Sequence, residues 1–227
     1  MRQLLLIAVL LATFAAVAVV VVRDTPPQHL PWKPLTLDQP AGRATAFKLA
    51  RIDTDLPRCR AILEAGGVQF EAKPDRPLAD CPTTGLMSLT SGGLPLAPAG
   101  PAMTCRQVLA YVLWTRHAVQ PAAEVELGEP IARIDHFGTF ACRNIAGSGT
   151  PSQHASANAL DIAGFRTVSG RRITVAGDFH DLGAKGRFLR RVRDGACPWF
   201  RAVLSPDYNA AHRDHLHLDR GMFGTCS

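Results

Sequence analysis

The stretch His212-Arg213-Asp214-His215-Leu216-His217-Leu218-Asp219 packs three of the eight histidines of a 227-residue chain into its first six positions. Read as a β-strand, it sets His215, His217 and Asp219 on one face, because strand side chains alternate sides. Three imidazoles converging on one sheet edge make up most of a zinc site. The missing ligand has to come from elsewhere in the chain. Ser152-Gln153-His154 offers one candidate, and Asp161 follows seven residues later.

A single helix does not easily bring His154 and Asp161 to one ion. Seven helical residues advance about 10.5 Å, whereas zinc lies only about 2.0–2.2 Å from a histidine nitrogen or a carboxylate oxygen. A loop running into a strand can do it. Gly147-Ser148-Gly149-Thr150-Pro151-Ser152 reads as a turn-forming stretch. Ala159-Leu160-Asp161-Ile162-Ala163 is a short apolar run around a carboxylate. A lone carboxylate buried there is costly unless it is paired or bound to a cation. The plain alternative is a strand-edge Asp that accepts from a backbone N–H.

The chain opens with a run from Leu4 to Val22 that is apolar except for Thr13, with Arg2 before it and Arg23-Asp24 after it. A secretory signal core runs to roughly 7–15 residues, and a membrane span needs about 20. Residues 1–23 therefore read as an uncleaved signal anchor. Cleavage after Ala18 is the alternative, since Ala16-Val17-Ala18 has the small-x-small form. Arg2 stays on the cytoplasmic side under the positive-inside rule, so everything after Arg23 lies outside. That gives a single-pass protein of a bacterial inner membrane with its domain in the periplasm, or a periplasmic protein if the signal is removed.

Six cysteines, Cys59, Cys81, Cys105, Cys142, Cys197 and Cys226, agree with export, and none forms a C-x-x-C pair. Thiolate zinc sites usually need such close pairs, so disulfides are the better reading. Pairing of neighbours predicts Cys59–Cys81, Cys105–Cys142 and Cys197–Cys226. The net charge of +6 suits anionic lipid head groups and acidic wall polymers. Nucleic acid is disfavoured by location.

Residues 24–45 carry Pro26, Pro27, Pro31, Pro34 and Pro40 and read as a semi-rigid linker holding the domain off the membrane. A domain over 46–227 follows. Pro57 and Gly66-Gly67 frame a short helix, and the Pro- and Gly-rich residues 82–102 read as a long loop. Thr104 opens a structural helix, with Gln107 in capping-box position and Cys105, Val108, Leu109 and Val112 on its apolar face. Strands are expected at Ile131–Ile134, Thr139–Cys142, Ala159–Ala163, Ile173–Ala176 and His215–Leu218, and an arginine-rich helix near Ala184–Arg193. This order predicts an α+β fold: a small antiparallel sheet bearing a zinc site, flanked by helices, behind an N-terminal transmembrane or signal helix.

Ser152-x-His154-x-x-Ala157-x-Ala159-x-Asp161 resembles the S-x-H-x-x-G-x-A-x-D motif of the lysostaphin, D-Ala-D-Ala metallopeptidase and hedgehog group, and His215-x-His217 resembles its H-x-H motif. The flanking Phe140-Ala-Cys142-Arg143-Asn144 and Asp207-Tyr208-Asn209-Ala-Ala-His212 are similar to the extensin-like C-terminal family, a similarity that covers residues 46–227. Ala157 departs from the pattern's Gly and implies a slightly different loop if that Gly serves a positive φ. The resemblance implies Zn2+ held by His154, Asp161 and His217, with His215 as base or proton carrier. His212 then orients substrate or shares proton transfer. Arg143 either grips a substrate carboxylate or developing oxyanion, or makes a surface ion pair. Asp219 reads as an exposed strand-end Asp, or alternatively as an acceptor for a ligand imidazole.

The implied activity is zinc-dependent hydrolysis of an amide bond in peptidoglycan peptides. A non-catalytic wall-binding module that keeps the metal is the rival. A metal phosphoesterase is a third reading, although the H-x-H-x-D-H order of one such group is missing. His180 reads as part of a solvated loop, and His29, His117 and His136 as structural or exposed. Arg187, Arg190, Arg191 and Arg193 form a charged helix face.

Overall fold

The computed structural model describes residues 1–227. Helix α1 (Arg2–Asp24) is exposed along its whole length and is long and apolar enough to cross a membrane. Thr13, the one polar side chain in its apolar run, donates to the Val9 carbonyl at 2.8 Å. In a bilayer such a helix would present no unpaired hydroxyl to hydrocarbon.

The proline-rich stretch behind α1 is packed on the domain, not held clear of it. Leu30, Leu35 and Leu37 are buried, the last two inside the main core. The Pro27 carbonyl accepts from Lys48 Nζ at 2.6 Å, and the Gln28 carbonyl from the Ala44 N–H at 3.2 Å. Prolines set the extended path, and the leucines between them supply the anchors that composition alone conceals.

Helix α2 (Thr45–Ile52) turns Lys48, Leu49 and Ile52 inward. Helix α3 (Leu56–Ala65) starts where the Asp55 carboxylate accepts from the Arg58 N–H at 3.0 Å, with Pro57 in its first turn, and stops at Gly66. Strands β1 (Gln69–Ala72) and β2 (Met87–Ser91) pair as a separate antiparallel ribbon, and β3 (Leu96–Ala97) follows. The stretch read as a long loop thus contains two strands, too short and too broken by Pro and Gly to show a period of two. Helix α4 (Cys105–Trp114) begins as expected, with Thr104 Oγ1 accepting from the Gln107 N–H. The capping box is not completed: the Thr104 N–H donates to the Ala157 carbonyl at 3.0 Å, and Gln107 uses its Nε2 to donate to the Leu218 carbonyl at 2.8 Å. α4 continues through a π turn, Thr115–Val119, into α5 (Gln120–Leu127). That wider turn sits just ahead of Pro121, which has no N–H to give.

Strands β4 (Ile131–Gly138), β5 (Ala159–Thr167) and β6 (Arg172–Thr174) come next, then the short α6 (Val175–Asp178) and α7 (Ala184–Asp194). β7 (Ala202–Leu204), β8 (Leu216–Asp219) and β9 (Thr225–Cys226) complete the fold. The α+β class holds, but the sheet is neither small nor wholly antiparallel. Seven strands run in the order β3-β4-β5-β8-β7-β9 with β6 on β5, and β3 lies parallel to β4 and β9 parallel to β7. The extra strands are two or three residues long and exist only because neighbours offer free edges. α4 crosses the middle of the core and is buried on nearly every side, not on one face. Trp114 meets Phe165 and Phe200 edge-on, at 6.2 and 6.1 Å between ring centroids, and its indole N–H donates to the Val192 carbonyl.

Two of the three expected disulfides are different. Cys59 joins Cys105, Cys81 joins Cys142, and only Cys197–Cys226 is as predicted. α3 packs across the start of α4, so the cysteine nearest Cys59 in space is not the nearest in sequence. Cys81–Cys142 ties the loop after β1 to the segment that supports the site described next.

Candidate metal centre

Asp161 and His217 face each other directly in the β5–β8 ladder. Antiparallel pairing with Asp161 opposite His217 brings the two side chains to the same face of the sheet. His217 Nδ1 lies 2.9 Å from Asp161 Oδ1. His154 arrives from a single 3-10 turn, Gln153–Ser156, opened by the Ser152 hydroxyl accepting from the His154 N–H. His154 Nε2 is 3.2 Å from both Asp161 oxygens and 3.2 Å from His217 Nδ1. The loop-into-strand geometry expected from the spacing is what brings His154 to Asp161, and the β5–β8 ladder adds His217. The ligand-capable atoms all lie within 4.8 Å of one another.

The hydrogen bonds on the far sides of the rings say which nitrogens face the centre. His154 Nδ1 is 3.2 Å from the Thr139 carbonyl, and a carbonyl can only accept, so Nδ1 carries a hydrogen and, in the neutral ring, Nε2 presents a lone pair to the centre. His217 Nε2–H donates to Asp219 Oδ2 at 3.0 Å, leaving Nδ1 inward. Two inward nitrogens 3.2 Å apart repel unless a proton or a cation lies between them. Ligands about 2.0–2.2 Å from a tetrahedral ion stand roughly 3.3–3.6 Å from one another. The observed 2.9–3.2 Å spacings are a slight expansion away from that. In donor type, tautomer and spacing, the set fits a zinc ion with one open position.

Without a cation, a proton fills the role. Burial disfavours the charged form of His217, but hydrogen bonds and charge from Asp161 and Asp219 outweigh that and raise its pKa to about 9. Burial likewise pushes Asp161 up, and the bonds from His154 and His217 overcome it, holding the carboxyl well below its ordinary range. Asp161 is therefore a paired carboxylate in an apolar strand, as its cost of burial demands.

His215 does not reach the centre as a member of the strand. Its N–H bonds back to the His212 carbonyl, so it sits in the turn just ahead of β8. Its Nδ1–H donates to Asp214 at 2.9 Å, which turns Nε2 to within 3.7 Å of Asp161 Oδ1. His212 occupies a 3-10 turn, Ala210–His212, donating to Asn209 Oδ1 at 2.8 Å, with its ring 5.2 Å from that of His215 and 5.9 Å from that of His217. Burial first, then the positive charge of His215 and His217, lowers its pKa to about 4, so His212 is neutral at physiological pH. Arg143 is exposed, makes no ion pair, and reaches only its neighbour's Asn144 carbonyl, at 3.4 Å.

Thr139–Cys142 is not the expected strand. It is a loop whose backbone serves the site: Thr139 O receives His154 Nδ1–H, and the Ala141 N–H donates to the His154 carbonyl at 3.1 Å. Asp219 is buried and bound to His217, so the exposed strand-end reading is wrong. Its alternation with His217 along β8 was the available signal. Asp214 and Thr139 were not singled out in the sequence. Asp214 was visible as an Asp–His dipeptide, whereas a backbone carbonyl leaves no signal in sequence. Ala157 adopts φ +53, the only non-glycine residue with positive φ. The loop thus keeps the turn a glycine would make, with alanine bearing the strain.

The remaining histidines are structural or solvated. His117 donates to Leu37 O and stacks on Trp199, His136 bonds to Pro98 O, His29 accepts from the Arg43 N–H, and His180 is exposed. Arg187 and Arg191 grip Glu126, Arg190 caps carbonyls, and Arg193 reaches Asp194 and Asp207. That helix face is therefore tied down by local pairs.

The model of one protein family, described as Extensin-like protein C-terminus, matches residues 57–227. No curated protein matches the chain, and no solved structure does. The match takes in every residue of the centre and well over half of the sequence, so the protein belongs to the extensin-like protein C-terminus family.

Proposed function

We propose that the protein is a zinc-dependent hydrolase of amide bonds in peptidoglycan peptides, anchored by α1 with its domain in the periplasm. The observation that carries the reading is the inward set of His154 Nε2, Asp161 and His217 Nδ1, each ring fixed from behind by an oxygen acceptor. The two sequence motifs resemble those of the lysostaphin and D-Ala-D-Ala metallopeptidase group, and the wall-peptide substrate comes from that resemblance.

His154, Asp161 and His217 would hold the ion. When bound, zinc supplies Lewis-acid polarisation of a carbonyl oxygen and acidifies water. The rest of the chemistry belongs to the chain. Asp214 fixes the His215 tautomer so that Nε2 is the free base, pointed at the space beside Asp161 where a proton must be taken and returned. Neutral His212, oriented by Asn209, completes that rim. Arg143, free of any carboxylate partner, is available to grip one on the substrate.

The test is elemental analysis of the purified chain, beside His154→Ala and His217→Ala, followed by a digest of peptidoglycan. The reading expects about one zinc per chain, lost in both variants while the fold persists, and zinc-dependent release of wall peptides. A well-folded chain that takes up no zinc when offered it would sink the metal centre. A zinc-loaded chain that releases nothing from peptidoglycan would leave the non-catalytic wall-binding module.

A further inference from the structure

The domain is tethered to α1 with almost no slack. Twenty-three helical residues span about 35 Å, enough to cross a hydrocarbon core of about 30 Å and end among the head groups. The Thr25 N–H still bonds to the Val21 carbonyl, and Pro27 is already fixed to the domain through Lys48. Only Thr25 and Pro26 separate Asp24 from Pro27, three steps along the chain with a reach of at most roughly 11 Å at about 3.6 Å each. Leu30 and Lys33 share a cleft with Ala18, Val22 and Arg23 of the helix end. The docking of the following segment is close backbone packing: a Cβ at Gly42 would stand 2.5 Å from the Gln28 carbonyl oxygen.

The surface carried by this segment and α2 has the composition of a membrane interface. Trp32 is 60% exposed, and Phe47, on the outer side of α2, is 51% exposed with the Arg51 guanidinium over its ring at 5.8 Å. Within residues 23–52, Arg23, Lys33, Arg43 and Arg51 are also exposed, against only Asp24 and Asp38 as acidic residues. Tryptophan and phenylalanine interleaved with basic residues suit a head-group layer bearing negative charge.

We propose that residues 27–52 lie on the anionic head-group surface of the membrane that α1 crosses, with Trp32 and Phe47 inserted at the interface and Lys33, Arg43 and Arg51 on lipid phosphates. The domain is then held in one orientation on the bilayer, not swung on a proline spacer. This rests on α1 remaining as an anchor and is independent of the hydrolase reading.

Trp32 provides its own probe. Of the three tryptophans, Trp114 and Trp199 are 0% and 1% exposed, so a nitroxide on the lipid head group quenches Trp32 alone. The full chain is reconstituted in nanodiscs of phosphatidylglycerol and phosphatidylethanolamine, and separately in phosphatidylcholine. Head-group quenching is expected in the anionic discs and absent in Trp32→Phe. It should fall severalfold in the triple variant Lys33→Glu, Arg43→Glu, Arg51→Glu, with near-ultraviolet circular dichroism confirming that the fold persists. Wild-type quenching no greater than that of Trp32→Phe would overturn the proposal, as would equal quenching in phosphatidylcholine. A membrane-extracted protein whose mass lacks residues 1–18 would overturn the anchor on which it rests. None of these outcomes touches zinc content, so failure here is separable from failure of the metal centre.

Discussion

The floor and the rim of the centre are built in different ways. The floor, Asp161 and His217, is set by a β-ladder between strands 56 residues apart in sequence, and Asp219 and Thr139 lock it from outside. The rim, His212, His215 and Arg143, stands on turns, where each side chain's hydrogen bonds go only to residues within three positions of itself. A ladder is rigid because each strand position is fixed by its neighbours; a turn is fixed by one or two local bonds. Such a division suits a site in which an ion must sit on fixed ligands while proton carriers adjust to substrate.

The comparison breaks most completely at the floor. Asp161→Ala or His217→Ala is expected to abolish zinc binding outright, read as metal per chain after dialysis, because two ligands seldom hold zinc against a chelator. Metal retained in either variant would mean that the ion sits elsewhere. The rim should separate from the floor in His215→Ala: zinc stays, and peptide release falls by roughly 10²–10⁴-fold, the usual worth of a positioned proton carrier. Unchanged turnover there would remove His215 from the chemistry.

Asp219→Asn tests the support behind the floor. Loss of the charge that orients His217 should weaken zinc about 10–100-fold by competition titration, without abolishing it. Ala157 tests the turn that delivers His154. Ala157→Val puts a β-branched side chain at φ +53 in a fully buried site and should cost about 2–3 kcal/mol in chemical unfolding, whereas Ala157→Gly should change stability by less than about 1 kcal/mol. If both substitutions are equally tolerated, the turn carries no strain.

The smallest effect lies far from the centre, where α5 meets α7. Hydrogen bonds from Arg187, then Arg191, hold the Glu126 carboxyl below its ordinary value. A depressed folded pKa contributes stability above the unfolded value and loses it as pH falls through the folded one. Glu126→Gln should therefore lower the Tm slightly at pH 7, by an amount that shrinks as the pH falls through the acid range and as salt is added. A Tm difference independent of both pH and salt would assign the effect to packing.

Residue chemistry and spacing alone carried the reading as far as local rules reach. The Thr104 cap, the Pro57 start of α3, the α7 helix, the apolar α1 and the α+β class were legible because each follows from spacing, periodicity or local turn chemistry, whereas the choice of His217 to join His154 and Asp161 came from the resemblance of the two motifs. Tertiary structure alone decided the rest. It chose Cys59–Cys105 and Cys81–Cys142 over neighbour pairing, since disulfides follow distance in space. Two- and three-residue strands too short to show a period were recruited to the sheet edges. Burial turned Asp219 from a strand-end acid into the partner of His217. The proline segment was folded down on the core because Leu35 and Leu37 gain more from burial than the chain gains from staying extended. Each of these outcomes depends on contacts between residues distant in sequence, which no local pattern records.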